Sequence, residues 1–340
     1  MNKGFLSLML VLSIIFMAAC GSDDTDGKAS AENGGKEKKV IFDASLPLGE
    51  GSHHAIGLEK FKEELERLTD GRLSIKLHYN NELGGEREAT EGMGINTIDM
   101  GLASTGPLGS FENDFFMFDL PYLFESVEHA YAVLDSEIGE ELAGKLEQAA
   151  NVEVLAWWEN GLRHETSSAG PVEKPSDLKG VKHRTQESEV QVDTWRAFGA
   201  DATPMAWPEV YTALQQKVIE SQENPLATIL DVRFYEVQDH LNLTGHVYSP
   251  LLFMMSKQLF ESLSLEDQAA VKEAADLSTK TQREASKKLE AEALQELEEK
   301  GMTVTKPDLE EFRKAVEPVY EKWAPKINEE LIDKVRSFEY

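Results

Sequence analysis

Two arginines, an asparagine–proline pair and a single cysteine carry the chemistry legible in this chain. Arg163 follows an Asn160-Gly161 turn signal, and Arg184 sits near the end of a strand-like segment, residues 180–185 (GVKHRT). A guanidinium offers planar, bidentate donors matched to a carboxylate, which a lysine ammonium does not. Two of them facing one pocket from neighbouring strand ends would make a fork for an anionic ligand. Solvation, or pairing with a local carboxylate, would also account for them. The same two-sided reading applies to Asn224 in Gln222-Glu223-Asn224-Pro225. Pro225 restricts Asn224 and suits a helix start just beyond it, so Asn224 is either a helix cap or an amide presented to a ligand. Trp157, Trp158, Trp207, Tyr211, Tyr248 and Phe253 can wall a small polar site or simply fill a core.

What the chain lacks narrows the classes further. It contains no P-loop, no dinucleotide fingerprint, no G-x-S-x-G elbow, no H-E-x-x-H and no paired-cysteine metal site. His53-His54 is the one adjacent histidine pair, and neighbours do not share a helix face. Nothing selects one carboxyl pair from the 62 Asp and Glu. No catalytic residue, metal or cofactor is therefore expected. With 34 Lys and Arg, the net charge is −28, which argues against nucleic acid, whose backbone demands neutralising cations. A cationic pocket can still sit inside an acidic exterior.

Cys20 is the only cysteine, so no internal disulfide holds the fold. Lys3 precedes the apolar run 5–19 (FLSLMLVLSIIFMAA), too short to span a bilayer core and suited to a secretory signal. Residues 17–20 (MAAC) resemble a bacterial lipobox. In that reading 1–19 is removed, Cys20 carries lipid, and 20–39, rich in Gly, Ser, Asp and Lys, is a flexible tether that keeps the protein outside the cytoplasmic membrane.

The elements that must position these residues follow from periodicity. Strands are expected at 40–47, 73–79, 98–104, 152–158, 180–185 and 244–256, and helices at 54–69, 86–93, 126–149, 188–198 and 207–217. Ser188 and Gln191 are spaced as a capping box. Alternating strands and helices predict an α/β fold with a mainly parallel sheet and a ligand cleft at the strand ends. From Ser264 to Lys300 there is no Gly or Pro. That stretch predicts one or two long helices, followed by a closing strand at 302–305 and helices from 308 to 340; its apolar positions, Leu265, Ala269, Ala274, Leu277, Leu289, Ala293 and Leu297, do not keep the strict heptad of a coiled coil.

Beyond these readings, residues 83–104 (LGGEREATEGMGINTIDMGLAS), 118–130, 159–168, 246–250 and above all 175–225 resemble the solute-binding subunits of TRAP transporters, the DctP-like proteins. The resemblance covers 40–330. It implies a two-lobed periplasmic-binding-protein type II fold, with lobes 40–160 plus 250–288 and 161–249 plus 289–340 and a long helix spanning them. It implies a small organic-acid ligand, a sodium-coupled membrane permease as partner, and no chemical step. Arg184 matches the arginine that pairs with the ligand carboxylate, Arg163 the second arginine and Asn224 the asparagine beside them. The chain departs from the pattern at Ser167, Gln186, Lys217 and Ser221. His54, Glu86, Glu88 and Thr105 are candidates for the far end of the ligand, and Trp207 and Tyr248 for its walls. Two carboxylates there would repel a second ligand carboxylate and favour a uronate or similar sugar acid over a C4-dicarboxylate.

Overall fold

The computed structural model describes residues 39–340; Cys20, the signal and nearly all of the tether lie outside the described residues. Nine strands form one sheet: β1 (Val40–Ser45), β2 (Leu73–His78), β3 (Met100–Ser104), β4 (Val152–Ser167), β5 (Lys182–Thr185), β6 (Asp201–Pro204), β7 (Ser221–Pro225), β8 (His240–Ser256) and β9 (Thr303–Thr305). Their order is β2-β1-β3-β8-β4-β7-β5-β6, with β9 beside β8. The outer pairings are parallel, as alternation of strands and helices predicts. The three central ones, β3–β8, β8–β4 and β4–β7, are antiparallel, so the sheet is mixed.

The long pair β4–β8 joins two halves. Its register runs from Val152↔Ser256 to Ser167↔His240, with irregularities at Val154/Ala156, Glu159/Gly161 and Arg163/Glu165. The turn expected at Asn160-Gly161 is instead a bulge within a 16-residue strand. Gly161 has φ +132, and a Cβ there would meet Pro225 Cβ at 2.8 Å. Only glycine adopts that backbone without strain, so turn signal and bulge use the same residue. β3 lines up with the Leu251–Met255 end of β8, and β7 with the Arg163–Ser167 end of β4. The first three strands thus belong to one half of the sheet and β5–β7 to the other.

Helices cover both faces. Helix α1 (His53–Leu68) starts where Ser52 accepts a hydrogen bond from Ala55 N at 3.2 Å, an ordinary N-cap. It buries Leu58, Phe61 and Leu65, while Ile56 and Leu68 are only half-buried. The helix expected over 126–149 is two, Val127–Leu134 and Glu137–Ala150, because Ser136 caps a fresh start. The segment 207–217 begins as a 3-10 turn, Trp207–Glu209, before the helix Val210–Gln215. Ser188 caps Glu189–Ala197 as expected, but the Gln191 side chain turns to Gln186 and Asp119 rather than closing a capping box.

A single 35-residue helix, Leu265–Glu299, is capped by Ser264. Its buried face is small or polar: Ala270, Ala274, Ala275, Ser278, Gln282, Ser286 and Ala293, with Val271 and Leu297; the apolar Leu265 and Leu277 are exposed. Its first turns pack in a core with Phe42, Phe61, Trp158 and Phe253. Its last turns pack in another with Leu214, Ile229, Phe234 and Leu241, so the helix spans both halves. A third core holds Phe115, Trp157, Trp195, Phe312 and Trp323. Residues 39–340 belong to one compact unit.

The small face brings the spanning helix close to α1. A Cβ on Gly57 would lie 2.7 Å from the Trp158 ring and 2.8 Å from Gln282 Cγ. Helix propensity favours alanine there by about 1 kcal/mol, yet overpacking a tight core costs about 1–3 kcal/mol. Gly57→Ala is therefore expected to lower the urea midpoint, and a midpoint at or above the parent's would show that this crossing has slack.

Candidate functional site

β4, β7 and β5 lie side by side, and the three residues singled out as an anion grip come one from each. Arg163 is inside β4 and fully buried. Its Nη2 donates to Glu223 Oε1 and to the Glu223 carbonyl, both at 2.8 Å, and to Asn224 Oδ1 at 3.1 Å. Its Nε also donates to Glu223, making a two-pronged pair, and His246 Nε2 stands 3.2 Å from the same carboxylate. Burial alone would raise the Glu223 carboxyl. The Arg163 charge and hydrogen bonds from His246 and Arg163 override it and hold the group well below the usual carboxylate range.

Arg184 is in β5, separated from Arg163 by β7 rather than on the adjacent strand. Its Nε and Nη2 both donate to the Met205 carbonyl, at 3.0 and 2.8 Å, and its guanidinium carbon stands 5.8 Å from the Trp207 ring centre. Burial lowers its pKa to about 10, so it stays cationic at neutral pH. Nη1 of both arginines has no hydrogen-bond partner among the described residues. Asn224 is inside β7, and Pro225 caps the helix that follows. Its Oδ1 accepts from Arg163 and its Nδ2 donates to Gln222 at 2.5 Å.

Beside Asn224, between the two halves, is a cavity of about 20 Å³ lined by Pro47, Leu48, His54, Glu86, Ser104, Asn160, Gln186, Trp207, Asn224 and Thr228, but not by Arg163 or Arg184. That volume suits one water molecule, far less than a four-carbon acid, so this is a closed conformation of the cleft. Direct bonds bridge it: Trp207 Nε1 donates to the Pro47 carbonyl at 3.2 Å and Gly49 N to Asp231 at 3.2 Å. Of the expected far-end and wall residues, His54, Glu86 and Trp207 line the cavity. Glu88 lines a larger outer groove of about 1090 Å³ whose walls mix charged residues, including Arg87, Glu187, Asp193, Glu209 and Lys322, with apolar ones such as Phe116, Val192 and Trp323. Thr105 is buried at the start of the short helix Thr105–Leu108, and Tyr248 packs against Phe124 and Tyr131; neither lines the cavity.

The cavity, not the groove, carries the unspent polarity. His54 is buried with no well-aligned hydrogen bond to either ring nitrogen, and Thr228 Oγ1 is also unpartnered. Burial, then the neighbouring His53 ring, hold His54 well below its ordinary pKa against an opposing contribution from Asn160, so it is neutral and can both donate and accept. Glu86 accepts from Ser104 N at 2.7 Å and Ser104 Oγ at 2.8 Å. Its pKa is raised by burial, offset by these bonds and by the two arginines. Buried groups in this state need a partner from outside the chain. Among the described residues no group of three His, Cys, Asp or Glu is placed to hold a metal.

Ser104, Asn160, Gln186 and Thr228 are cavity residues that residue type alone does not single out. Glu223, the partner that fixes Arg163, is also absent from the expected set, although its adjacency to Asn224 could have pointed to it.

Other carboxyls are perturbed at the crossing of the halves. Burial raises Glu159, Glu165 and Glu290 each to about 7, Glu159 also through its neighbour Glu290, while Glu290 accepts from Leu226 N and Ala227 N at 3.1 and 2.9 Å. A folded pKa above the unfolded one means that the native state holds protons the unfolded chain releases. This contribution is full below the unfolded pKa near 4.5 and is lost as pH rises through about 7, worth at most roughly 3 kcal/mol per group. Stability is therefore expected to fall between about pH 4.5 and 7, and Glu159→Gln to flatten that slope; urea melts across the range with an unchanged slope in the variant would refute it.

The family model Bacterial extracellular solute-binding protein, family 7 (DctP), matches residues 45–326. A TRAP periplasmic solute-binding protein from Polaromonas sp. JS666, solved bound to D-erythronate, is 40% identical with a TM-score of 0.86, over 89% of this chain and 100% of that one. The sugar acid binding protein DctPAm from Advenella mimigardefordensis strain DPN7T, solved with galactonate, is 34% identical with a TM-score of 0.86, over 88% and 97%. The 2,3-diketo-L-gulonate-binding periplasmic protein YiaO of Escherichia coli strain K12 is 36% identical over 73% of this chain and 76% of its own length. With this fold, coverage and identity, the chain belongs to the DctP family and is an extracytoplasmic, non-enzymatic solute-binding protein of a TRAP transporter.

Proposed function

We propose that the protein captures a small polyhydroxylated monocarboxylate, an open-chain sugar acid in the first place, and that Arg184, Arg163 and Asn224 hold its carboxylate. The observation that carries this reading is the polarity of the closed cavity. Two lining residues, Asn224 and Trp207, touch buried cations with unmatched Nη1 donors, Arg163 and Arg184, which do not themselves line the cavity; Glu86 is the one charged residue in the lining, among the neutral hydrogen-bonding groups of His54, Ser104, Asn160, Gln186 and Thr228. Hydroxyl groups satisfy such a set. A second ligand carboxylate would meet Glu86 in a buried site, where like charges repel strongly. That argument rests on Glu86 alone, since Glu88 faces the outer groove. D-erythronate and galactonate, bound by the two solved relatives, are acids of this kind.

In this mechanism the acid enters an open cleft, meets the arginines on the β5–β7 half, and draws the β1–β3 half over its hydroxyl end. The moving bodies are taken as 40–160 plus 250–288 and 161–249 plus 289–340. The ligand shifts the balance only by its preference for the closed form, and the permease then receives it from that form. Calorimetric titration of D-erythronate, galactonate, galacturonate and succinate tests the reading. The hydroxylated monoacids are expected to bind and succinate to fail, and tighter binding of succinate would overturn it.

Cys20 is proposed as the lipid attachment point. Cys20→Ser is expected to move the protein from the membrane fraction to the soluble extracytoplasmic fraction while the affinity for acid stays the same; a variant still retained on the membrane would remove Cys20 from that role.

A further inference from the structure

We propose that a groove among the C-terminal helices is a second binding site, for a zwitterion that carries an oxyanion and a primary ammonium a few bonds apart. The groove has a volume of about 400 Å³ and lies between the turn at Pro121-Tyr122 and the helices Leu309–Ala315, Glu317–Trp323 and Glu329–Arg336. That volume is of the size that holds a small molecule, and the groove shares no lining residue with the closed cavity or the outer groove. Four charged side chains line it, Arg313 and Arg336 with Glu317 and Glu321. Two are of each sign, yet among the described residues none of the four has an ion-pair partner. Each guanidinium instead lies over a tyrosine, Arg313 over Tyr122 and Arg336 over Tyr320, both 4.2 Å from the ring centre. Stacking uses the face of the guanidinium and leaves its edge N–H donors for an oxyanion.

The rings that carry the two cations are themselves fixed. Tyr320 Oη donates to the Pro121 carbonyl at 2.8 Å, and Tyr122 N donates to the His246 carbonyl at 2.7 Å. Tyr122 also holds φ +59. A bulky residue in the left-handed region is strained, and such strain collects where a ligand is clamped. Burial raises the pKa of the Tyr320 hydroxyl while Arg336 and Arg313 both oppose it, so the two cations bear on one ring. Charge then selects the guest. A dianion would be repelled by Glu317 and Glu321, and a simple cation by the two arginines. A zwitterion satisfies both pairs at once. Its cationic end must carry N–H donors, because carboxylates only accept. A quaternary ammonium has none, and the tyrosine faces that would hold one are already covered by arginine.

Two sources supply this chemistry, the ethanolamine phosphodiester headgroup of a membrane lipid and a free amino acid. Calorimetric titration with glycerophosphoethanolamine, γ-aminobutyrate, inorganic phosphate and ethylammonium tests the site on the parent, Arg313→Gln and Glu321→Gln. Both substituted residues are exposed, and urea melts confirm that the variants fold. At least one zwitterion is expected to saturate the parent about tenfold more tightly than phosphate or ethylammonium does, and each variant to weaken it about tenfold. The response to D-erythronate should stay as in the parent, since neither residue lines the cavity. Flotation with vesicles of phosphatidylethanolamine and phosphatidylcholine, or of phosphatidylcholine alone, assigns the source, using Cys20→Ser so that no lipid holds the protein. Retention on the ethanolamine vesicles that is lost in Arg313→Gln identifies the headgroup; a bound free zwitterion with no retention identifies a solute. No saturable binding of either zwitterion, phosphate bound as tightly as the zwitterions, or variants that bind them like the parent would each overturn the site.

Discussion

Replacing Arg184 with alanine is expected to weaken acid binding by about 10²–10³-fold while leaving the unliganded protein at least as stable as the parent. The two halves of this expectation come from the same geometry. Arg184 is buried and spends Nε and Nη2 on the Met205 carbonyl; among the described residues its Nη1 is unmatched and it has no salt-bridge carboxylate of its own. Truncating one member of a buried, hydrogen-bonded charge pair costs about 2–5 kcal/mol of binding, and each 1.4 kcal/mol is tenfold. In the unliganded protein the same change removes a desolvated cation that nothing neutralises directly, which is neutral or favourable. Arg184→Lys should recover little, because a point charge cannot grip the Met205 carbonyl and a carboxylate in one plane. Calorimetry and thermal unfolding read the two effects separately. An alanine variant that binds D-erythronate within about fivefold of the parent would remove Arg184 from the carboxylate grip.

Glu223→Gln is expected to damage the fold itself, by about 3–5 kcal/mol. Glu223 neutralises Arg163 through two prongs and is also the partner of His246, with all three side chains buried. Breaking such a pair from one side leaves an uncompensated charge in the interior, and the unfolding midpoint should drop by roughly 5–10 °C. The double change Glu223→Gln with Arg163→Met should recover much of the loss, since contacting residues are not additive. Acid should mimic the single change. A carboxyl held below its unfolded pKa contributes stability that is present above about pH 4.5 and lost as pH falls towards the folded value. This is opposite in sign to the three raised glutamates, so stability should peak between the two regimes. A single variant within 1 kcal/mol of the parent would show that Arg163 is neutralised by some other means.

Residue type made part of the site legible and concealed the rest. Arginines are rare in so acidic a chain, and Asn224 is marked by its proline, so both could be picked out before any fold was known. Glu223 stands beside Asn224 yet is one of 62 acidic residues; what distinguishes it is the antiparallel pairing of β7 with β4, which residue type does not announce. Gln186, Ser104, Asn160 and Thr228 are common polar residues whose role comes only from their convergence between the halves. In the fold, apolar spacing located most strands, but it could not find the inward face of the spanning helix. Ser278, Gln282 and Ser286 are buried there, whereas an apolar pattern gives weight to Leu265 and Leu277. The Asn160-Gly161 signal was ambiguous for a physical reason: a positive φ serves a turn and a bulge equally well.

The β4–β8 pair has a consequence for how the molecule is made. The strands are far apart in the chain, and both halves of the sheet are built on them, while the helix that seals both cores comes later still. Contacts between distant segments cannot form until both have been synthesised, and they form slowly when they do. Neither half can therefore finish folding on the ribosome as an autonomous piece. For a protein that works outside the cytoplasm this is an advantage in delivery: the emerging polypeptide stays threadable through a translocation pore, and the receptor assembles as one cooperative event on the far side.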